Sequence, residues 1–439
     1  MSRTASDMHP STRRLLEDLF PILRSITGDG VRATLRRIGS EVAAAATLQV
    51  HEVPTGTEVL DWTVPDEWNL RSAHITHESG ERVVDLADCN LHVVSYSHAV
   101  DTTMTLEDLQ PHLHSLADRP NLIPYRTSYY NRGWGFCLSH AERQRMKSGM
   151  YRVVIDATLE PGSLTYGEVL LPGESATEIL VSTHTCHPSL CNDNLSGIAI
   201  AARLINDLAA RSLRHSMRFV FVPGTIGSLA WLHQHHDHAR ANVKAGLVLT
   251  GLGDRSGFTY KRSRRGGTVT DRAAHHVLTQ LGTPHRELDF TPYGYDERQY
   301  CSPGYDLAVG RLGRGTHGEY PEYHTSGDNL LFVDDDALAQ SFEVARDILL
   351  TVDADRTLVR TNPYGEPQLG RRGLYRSIGG QPQPEQLEMA MLWTLNGCDG
   401  STSLLDIAER SGLTFSLIDQ AASLLEEACL VTSMERSAP

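Results

Sequence analysis

Two histidines and an aspartate lie close together in one short run, Ile179-Leu-Val-Ser-Thr-His184-Thr-Cys-His187-Pro-Ser-Leu-Cys-Asn-Asp193-Asn-Leu-Ser-Gly197. Imidazole and carboxylate are the ligand types that zinc takes when thiolates are not used. A solitary loop histidine is ordinarily just a polar loop residue, but three such groups at this spacing point to a metal site. Cys186 and Cys191 fall in the same run. A structural Cys/His zinc knot would need a second Cys/His cluster at finger-like spacing, and the chain offers none. Residue spacing does not choose between His184 and His187 as ligand. An unliganded member of the pair could instead orient a ligand from behind.

The elements around this run place it. Ile179, Leu180 and Val181 read as a buried strand. After Gly197, apolar residues recur at helical spacing at Ile198, Ala201, Leu204, Ile205 and Leu208. The run is therefore a strand-to-helix connection, and open α/β sheets bind ligands beyond the carboxyl ends of their strands. From Tyr151 onward the pattern alternates strand and helix: strands at Tyr151–Asp156, Ile179–Thr183, Met217–Val222, Ala245–Thr250 and Leu307–Gly310, helices starting at Gly227 and spanning Asp271–Leu281 and Ala337–Asp353. Such alternation predicts an α/β fold, a mostly parallel sheet with helices on both faces.

The flanking segments differ in character. Ser11–Ile26 and Gly30–Ala46 read as two helices that pack on the main domain and carry no chemistry. From about Thr57, short alternating runs and turn signals suggest a small β-rich module, with one helix at Leu106–Leu116 and aromatics, Trp62, Trp68, Tyr129, Tyr130 and Trp134, that form its core or line a ligand surface. After Pro363 comes a Gly/Pro-rich arm, then three short helices at Pro384–Leu395, Ser403–Ser411 and Ser416–Ala428. The middle of these resembles the start of a helix-turn-helix. The third contains no Arg or Lys, and phosphate contacts need cations, so this winged-helix-like tail reads as a packing or interaction module rather than a DNA reader.

The chain has 439 residues and a formal net charge of −14, which argues against nucleic-acid or anionic-membrane partners for the whole chain. Seven cysteines without paired spacing fit reduced thiols and a cytoplasmic protein. The first ten residues lack the apolar stretch of a signal peptide, and no run approaches the roughly 18 apolar residues of a membrane helix.

The region from about 150 to 350 resembles the co-catalytic zinc aminopeptidases. The matching features are His184 after a strand, Asn192-Asp193-Asn194 before Ser196-Gly197, Asp254 after the next strand but one, and the late motif Tyr323-His324-Thr-Ser-Gly-Asp328. Nearly the whole chain is similar to the aminopeptidase-like proteins found with polysaccharide and natural-product biosynthesis, in which a small domain interrupts the peptidase domain and a winged helix ends the chain. Further runs that carry this are Pro223-Gly-Thr-Ile-Gly-Ser, Asp296-Glu-Arg-Gln-Tyr-Cys-Ser-Pro-Gly and Gly318-Glu-Tyr-Pro-Glu-Tyr. The resemblance implies an aminopeptidase-like domain of residues 1–57 plus 136–362, an inserted β-rich domain of 58–135 and a winged-helix-like domain of 363–439. It implies Zn2+ held by Asp193, His324 and one of His184 or His187, with Asp254 in reserve.

One departure matters. Where the aminopeptidases carry a Glu-Glu pair, general base and metal ligand, this chain has Gly224-Thr225. That favours one zinc over two, with an open position for chemistry. The base must come from elsewhere: Glu297, Glu319 and Glu322 are the candidates, each of which could equally be a paired surface carboxylate. Tyr320 and Tyr323 could donate to an oxyanion, or simply pack. Arg298 and Arg314 could clamp a substrate carboxylate, and Asn194 could contact substrate. The expectation is a zinc-dependent hydrolase of an amide in a small peptide-like or aminoacyl substrate, an aminopeptidase or deacylase. The alternatives are a non-hydrolytic metal-binding partner in a biosynthetic pathway and an enzyme running the same chemistry in the synthetic direction. A homo-oligomer is left open.

Overall fold

The structure, a computed structural model, describes residues 10–315, 319–374 and 384–433. The leader expectation for the first residues and the end of the C-terminal domain fall outside these. The chain divides into two compact units, Met1–Gly266 with His285–Glu343, and Gly267–Pro284 with Val344–Pro439.

The first unit is built on an eight-stranded sheet. In order across it run Gln49–Pro54, Ser163–Leu171, His215–Val222, Ser175–His184, Val243–Leu249, Val309–Gly313, Thr259–Lys261 and Arg286–Leu288. The four strands from His215–Val222 to Val309–Gly313 are mutually parallel. Their continuous apolar runs are buried because helices cover both faces. The Gly197–Leu208 helix is buried almost throughout, which is why its apolar residues exceed a single stripe. The sheet is thus α/β and mostly parallel, with antiparallel strands toward both edges.

Some elements depart from the sequence reading. Met150–Glu160 does not open the large sheet. It is an inner strand of a separate four-stranded antiparallel sheet, ordered Arg82–Asp85, Glu67–His77, Met150–Glu160, Val100–Thr105. Its burial alternates, with Tyr151, Val153, Ile155 and Ala157 inward, as suits a sheet with one wet face. The β-rich part therefore extends by its strand pairing to Glu160, beyond the expected 58–135. The first helix stops at Leu19 rather than Ile26, just before Pro21. The Leu106 helix lasts one turn and passes into a 3-10 turn containing Pro111, which lacks the amide that would continue it.

The second unit holds the helices Pro384–Gly397, Leu404–Ser411 and Phe415–Glu427 with a three-stranded sheet of Asp399–Ser403, Thr357–Arg360 and Val431–Ser433. This is a winged helix. The Val269–Leu281 helix belongs to the same unit, where Arg272 bonds Asp406 and Glu409. No helix among the described residues is long and apolar enough to cross a membrane.

Candidate metal centre

His184 is the last residue of a central parallel strand, so its side chain leaves the sheet at the carboxyl end. The chain then turns through Cys191–Ser196, where Asp193 and Asn194 depart from helical geometry before the Gly197–Leu208 helix begins. That departure turns Asp193 back toward His184. Asp193 Oδ1 lies 3.0 Å from His184 Nε2. Its Oδ2 lies 3.0 Å from His324 Nε2 and 3.9 Å from His187 Nε2. Three imidazoles from two distant segments therefore converge on one carboxylate.

The far nitrogens of the two loop histidines are occupied elsewhere. His184 Nδ1 is 3.3 Å from Asn194 Nδ2, and His187 Nδ1 is 3.2 Å from Cys186 Sγ. Both rings thus present Nε2 to the centre. The ligand atoms of His184, His187 and Asp193 all lie within 4.8 Å of one another, the one such group among the described residues. Imidazole nitrogens around a carboxylate suit a zinc-type ion. Burial alone would raise the Asp193 carboxyl, but His187 beside it and the hydrogen bonds from His184 and His324 hold it well below the carboxylate range. Burial pushes His187 well below the usual imidazole range, which keeps its ring neutral as a ligand must be.

The centre is held from behind. Asp328 is buried and accepts the amides of Asn192 at 2.5 Å and Asp193 at 2.9 Å, and burial lifts its carboxyl to about 7. Arg24, from the N-terminal segment, bonds the His187 carbonyl at 2.8 Å, Thr34 Oγ1 and the Leu19 carbonyl. Ser189 Oγ donates to the Phe20 carbonyl. The N-terminal segment therefore packs on the main domain and, in doing so, buttresses the loop that carries His187. On the other side, Tyr125 donates its amide to the His324 carbonyl at 2.8 Å, and its ring lies 5.1 Å from His187 and 5.2 Å from His324. His324 itself sits at φ +53°, a left-handed conformation unusual outside glycine and one that tends to accompany functional positions.

Asp254 does not join the cluster. Its carboxylate accepts Asn192 Nδ2, the Ser256 amide and the Gly315 amide, so it organises the loops around the centre. The converging set thus fits one ion. Glu297 is also committed: it is buried against Lys261 Nζ at 2.9 Å and accepts the Tyr295 amide. Glu319 is exposed and paired with Arg286. Glu322 uses its carbonyl to close the Thr325 turn, and its half-buried carboxylate has no partner among the described residues. Arg314 is tied to Ser341, Ser256, Ala337 and Gln340 and is unavailable as a clamp. Arg298 is half-buried, its Nε without a partner and its charge near Asp296. Asn194 spans Thr183 and Leu249, a structural tie rather than a substrate contact. Tyr323 stacks on His324 at 4.0 Å, and Tyr320 packs edge-on against Tyr323.

Sequence reasoning passed over Asp296, though it adjoins Glu297 in a motif already noted. Asp296 is fully buried, its Oδ1 accepts Ser228 Oγ at 2.8 Å, and its Oδ2 has no hydrogen-bond partner. A Cβ on Gly224 would lie 3.1 Å from His184 Cβ and 3.5 Å from Asp296 Oδ2. The glycine that replaces a glutamate thus lies against His184, and Asp296 presents a carboxyl to the same place. Burial raises that carboxyl to about 6.

A parallel sheet carrying a His/Asp centre beyond its strand ends, with a winged helix after it, is the aminopeptidase-like architecture. The zinc aminopeptidase of Bacillus subtilis superimposes with a TM-score of 0.58 at 11% identity, over 79% of this chain and 95% of that one. An aminopeptidase from Aneurinibacillus sp. strain AM-1 gives 0.51 at 11% identity, over 78% and 93%. Residues 13–355 match the family described as Domain of unknown function (DUF4910), and the chain belongs to that family. Residues 356–433 match the winged helix-turn-helix family. A Clostridium acetobutylicum protein named for polysaccharide biosynthesis and an aminopeptidase-like domain is 46% identical over 411 residues, 94% of this chain and 93% of its own length. A crystal structure from the same organism, named for peptidase character, has a TM-score of 0.90 at 44% identity, covering 97% of this chain and 96% of that one.

Proposed function

We propose that this chain is a single-zinc hydrolase that cleaves an amide in a small aminoacyl or peptide-like substrate, in polysaccharide or natural-product biosynthesis. The observation that supports it is the convergence of His184, His187 and His324 on Asp193. When bound there, zinc polarises a scissile carbonyl and makes water more acidic. His324 is one-third exposed while His184 and Asp193 are buried, so substrate approaches from the His324 side. Asp296 takes the proton as attack proceeds, since a carboxyl near 6 is largely ionised at neutral pH yet basic enough to accept it. Tyr323 supplies a hydroxyl beside His324 for the developing oxyanion.

The test is hydrolysis of aminoacyl and N-acyl amides by the zinc-loaded protein and by His324→Ala. Turnover that His324→Ala abolishes supports the reading, and no turnover of any panel member sinks it. A second reading, a metal-binding partner without hydrolysis, is favoured by Gly224-Thr225 in place of the Glu-Glu pair. Tight metal binding with no turnover would support that one.

A further inference from the structure

Every other deeply buried arginine of the first unit is well supplied with partners. Arg24 has three acceptors, Arg218 bonds Glu168 and Glu178, and Arg314 has four acceptors. Arg311 differs. It lies in the Val309–Gly313 strand, only 3% exposed. Its Nε is buried without a partner, and its guanidinium makes no hydrogen bond or ion pair with any described residue. Its guanidinium lies 5.5 Å from the centroid of the Tyr295 ring, and its charge also acts on the Tyr323 phenol. Lys261, its partner across the strands, is spent on Glu297 and two carbonyls. A buried cation with no acceptor among the described residues is costly, and a ligand that brings one relieves that cost.

Arg311 lines a small cavity of about 10 Å³, room for one oxygen-sized group, with Tyr295, Tyr320, Thr250, Gly251 and Gly313. Thr250 Oγ1 is buried there and likewise lacks a partner. The cavity abuts the metal centre, because Tyr295 stacks on His184 at 5.2 Å and Tyr320 packs against Tyr323, which stacks on His324.

We propose that this cavity is an oxyanion subsite in which Arg311 and the Thr250 hydroxyl receive one oxygen of a free carboxylate of the substrate. A guanidinium N–H gives such an oxygen a charge-assisted hydrogen bond. The inference rests on the hydrolase reading and narrows it: the substrate is a small amide bearing a carboxylate, not a long polypeptide.

The test has a binding arm and a turnover arm. In the binding arm, succinate and inorganic phosphate are titrated into the full-length protein, metal-free and zinc-loaded, with thermal stability as the readout. Succinate should stabilise the wild type in both states and stabilise Arg311→Met far less. Equal stabilisation of the variant overturns the subsite, and a response to phosphate without one to succinate overturns the carboxylate assignment. Arg311→Met should itself fold at least as stably as the wild type without ligand; a marked loss of stability would mean the guanidinium serves the fold instead. Thr250→Val keeps the shape and provides a second variant, expected to weaken succinate several-fold; no change would remove the hydroxyl from the subsite. In the turnover arm, the preference in KM for a dipeptide over its C-terminal amide should fall about thirty-fold or more in Arg311→Met, with the preference intact if the proposal is wrong. If the wild type turns over nothing, the hydrolase reading fails while the binding arm still decides the subsite.

Discussion

Asp296 is the residue whose protonation ties chemistry to stability. Its ordinary value of 3.8 applies in the unfolded chain, and burial lifts it to about 6 in the fold. Between those values the folded chain holds a proton that the unfolded chain has released. Its contribution to stability is therefore fully present below pH 3.8 and is lost as pH rises through 6. Asp296→Asn removes that penalty. The metal-free variant should be more stable than wild type at pH 8, by up to roughly 3 kcal/mol, with the advantage vanishing toward pH 4; denaturant melts at the two pH values measure it. In turnover, the same variant should lose about 10²–10⁴-fold in kcat and the acid limb near pH 6. Glu322→Gln should keep that limb, and if it instead abolishes the limb then Glu322 is the base. At the centre itself, His324→Ala should weaken zinc binding more than Cys186→Ser does. Cys186 only orients His187 from its far nitrogen, and outer partners are worth about 10–100-fold. Competition against a chromophoric chelator separates the two.

Between elements, the centre depends on segments far apart in the chain. The central strand and the turn after it supply His184, His187 and Asp193, and a later loop supplies His324. That much was legible in the sequence because ligand types stand out when they cluster beside a buried strand, and the late motif carried its resemblance. The supports were not legible. Arg24 looks like any helix-end arginine, and only the fold brings it to the His187 carbonyl. Tyr125 reads as one aromatic among many until a short bridge between Pro124 and Thr325 sets its ring against two of the histidines. The Met150–Glu160 strand was misplaced because an alternating strand next to a parallel sheet has the same composition as its neighbours; only its pairing shows where it belongs. Glu297 illustrates the opposite error, a carboxylate in a suggestive motif that is locked to Lys261. Arg24→Met should lower stability by about 1–3 kcal/mol for each acceptor left without a donor. It should also weaken zinc affinity, because the loop carrying His187 loses its anchor. Melts of the metal-free protein and a zinc titration read the two effects separately; unchanged zinc affinity would leave Arg24 a purely structural role.

At the scale of the whole molecule, a winged helix follows the aminopeptidase-like domain, and its third helix carries no cation. The Phe415–Glu427 helix, in the position of a recognition helix, has acidic residues at Asp419, Glu426 and Glu427 and no cation. Two of those acids are turned inward to Arg356, Asp419 at 2.6 Å and Glu426 at 2.7 Å, so their role is to hold the second unit together. Phosphate contacts supply most of non-specific DNA affinity and grow steeply as salt falls. A helix without cations, in a chain of net charge −14, gives no such gain. Fluorescence anisotropy with duplex DNA should therefore show no binding at 50 mM salt, about where electrostatic affinity is still strong; saturable, salt-sensitive binding there would reverse the assignment. Arg356→Ala makes the complementary case. Removing one cation leaves two partly buried carboxylates facing each other, which should cost about 1–3 kcal/mol and lower the melting of the second unit. Zinc affinity should stay at the wild-type value, because every ligand of the centre belongs to the first unit; a parallel loss of zinc binding would show that the two units fold as one.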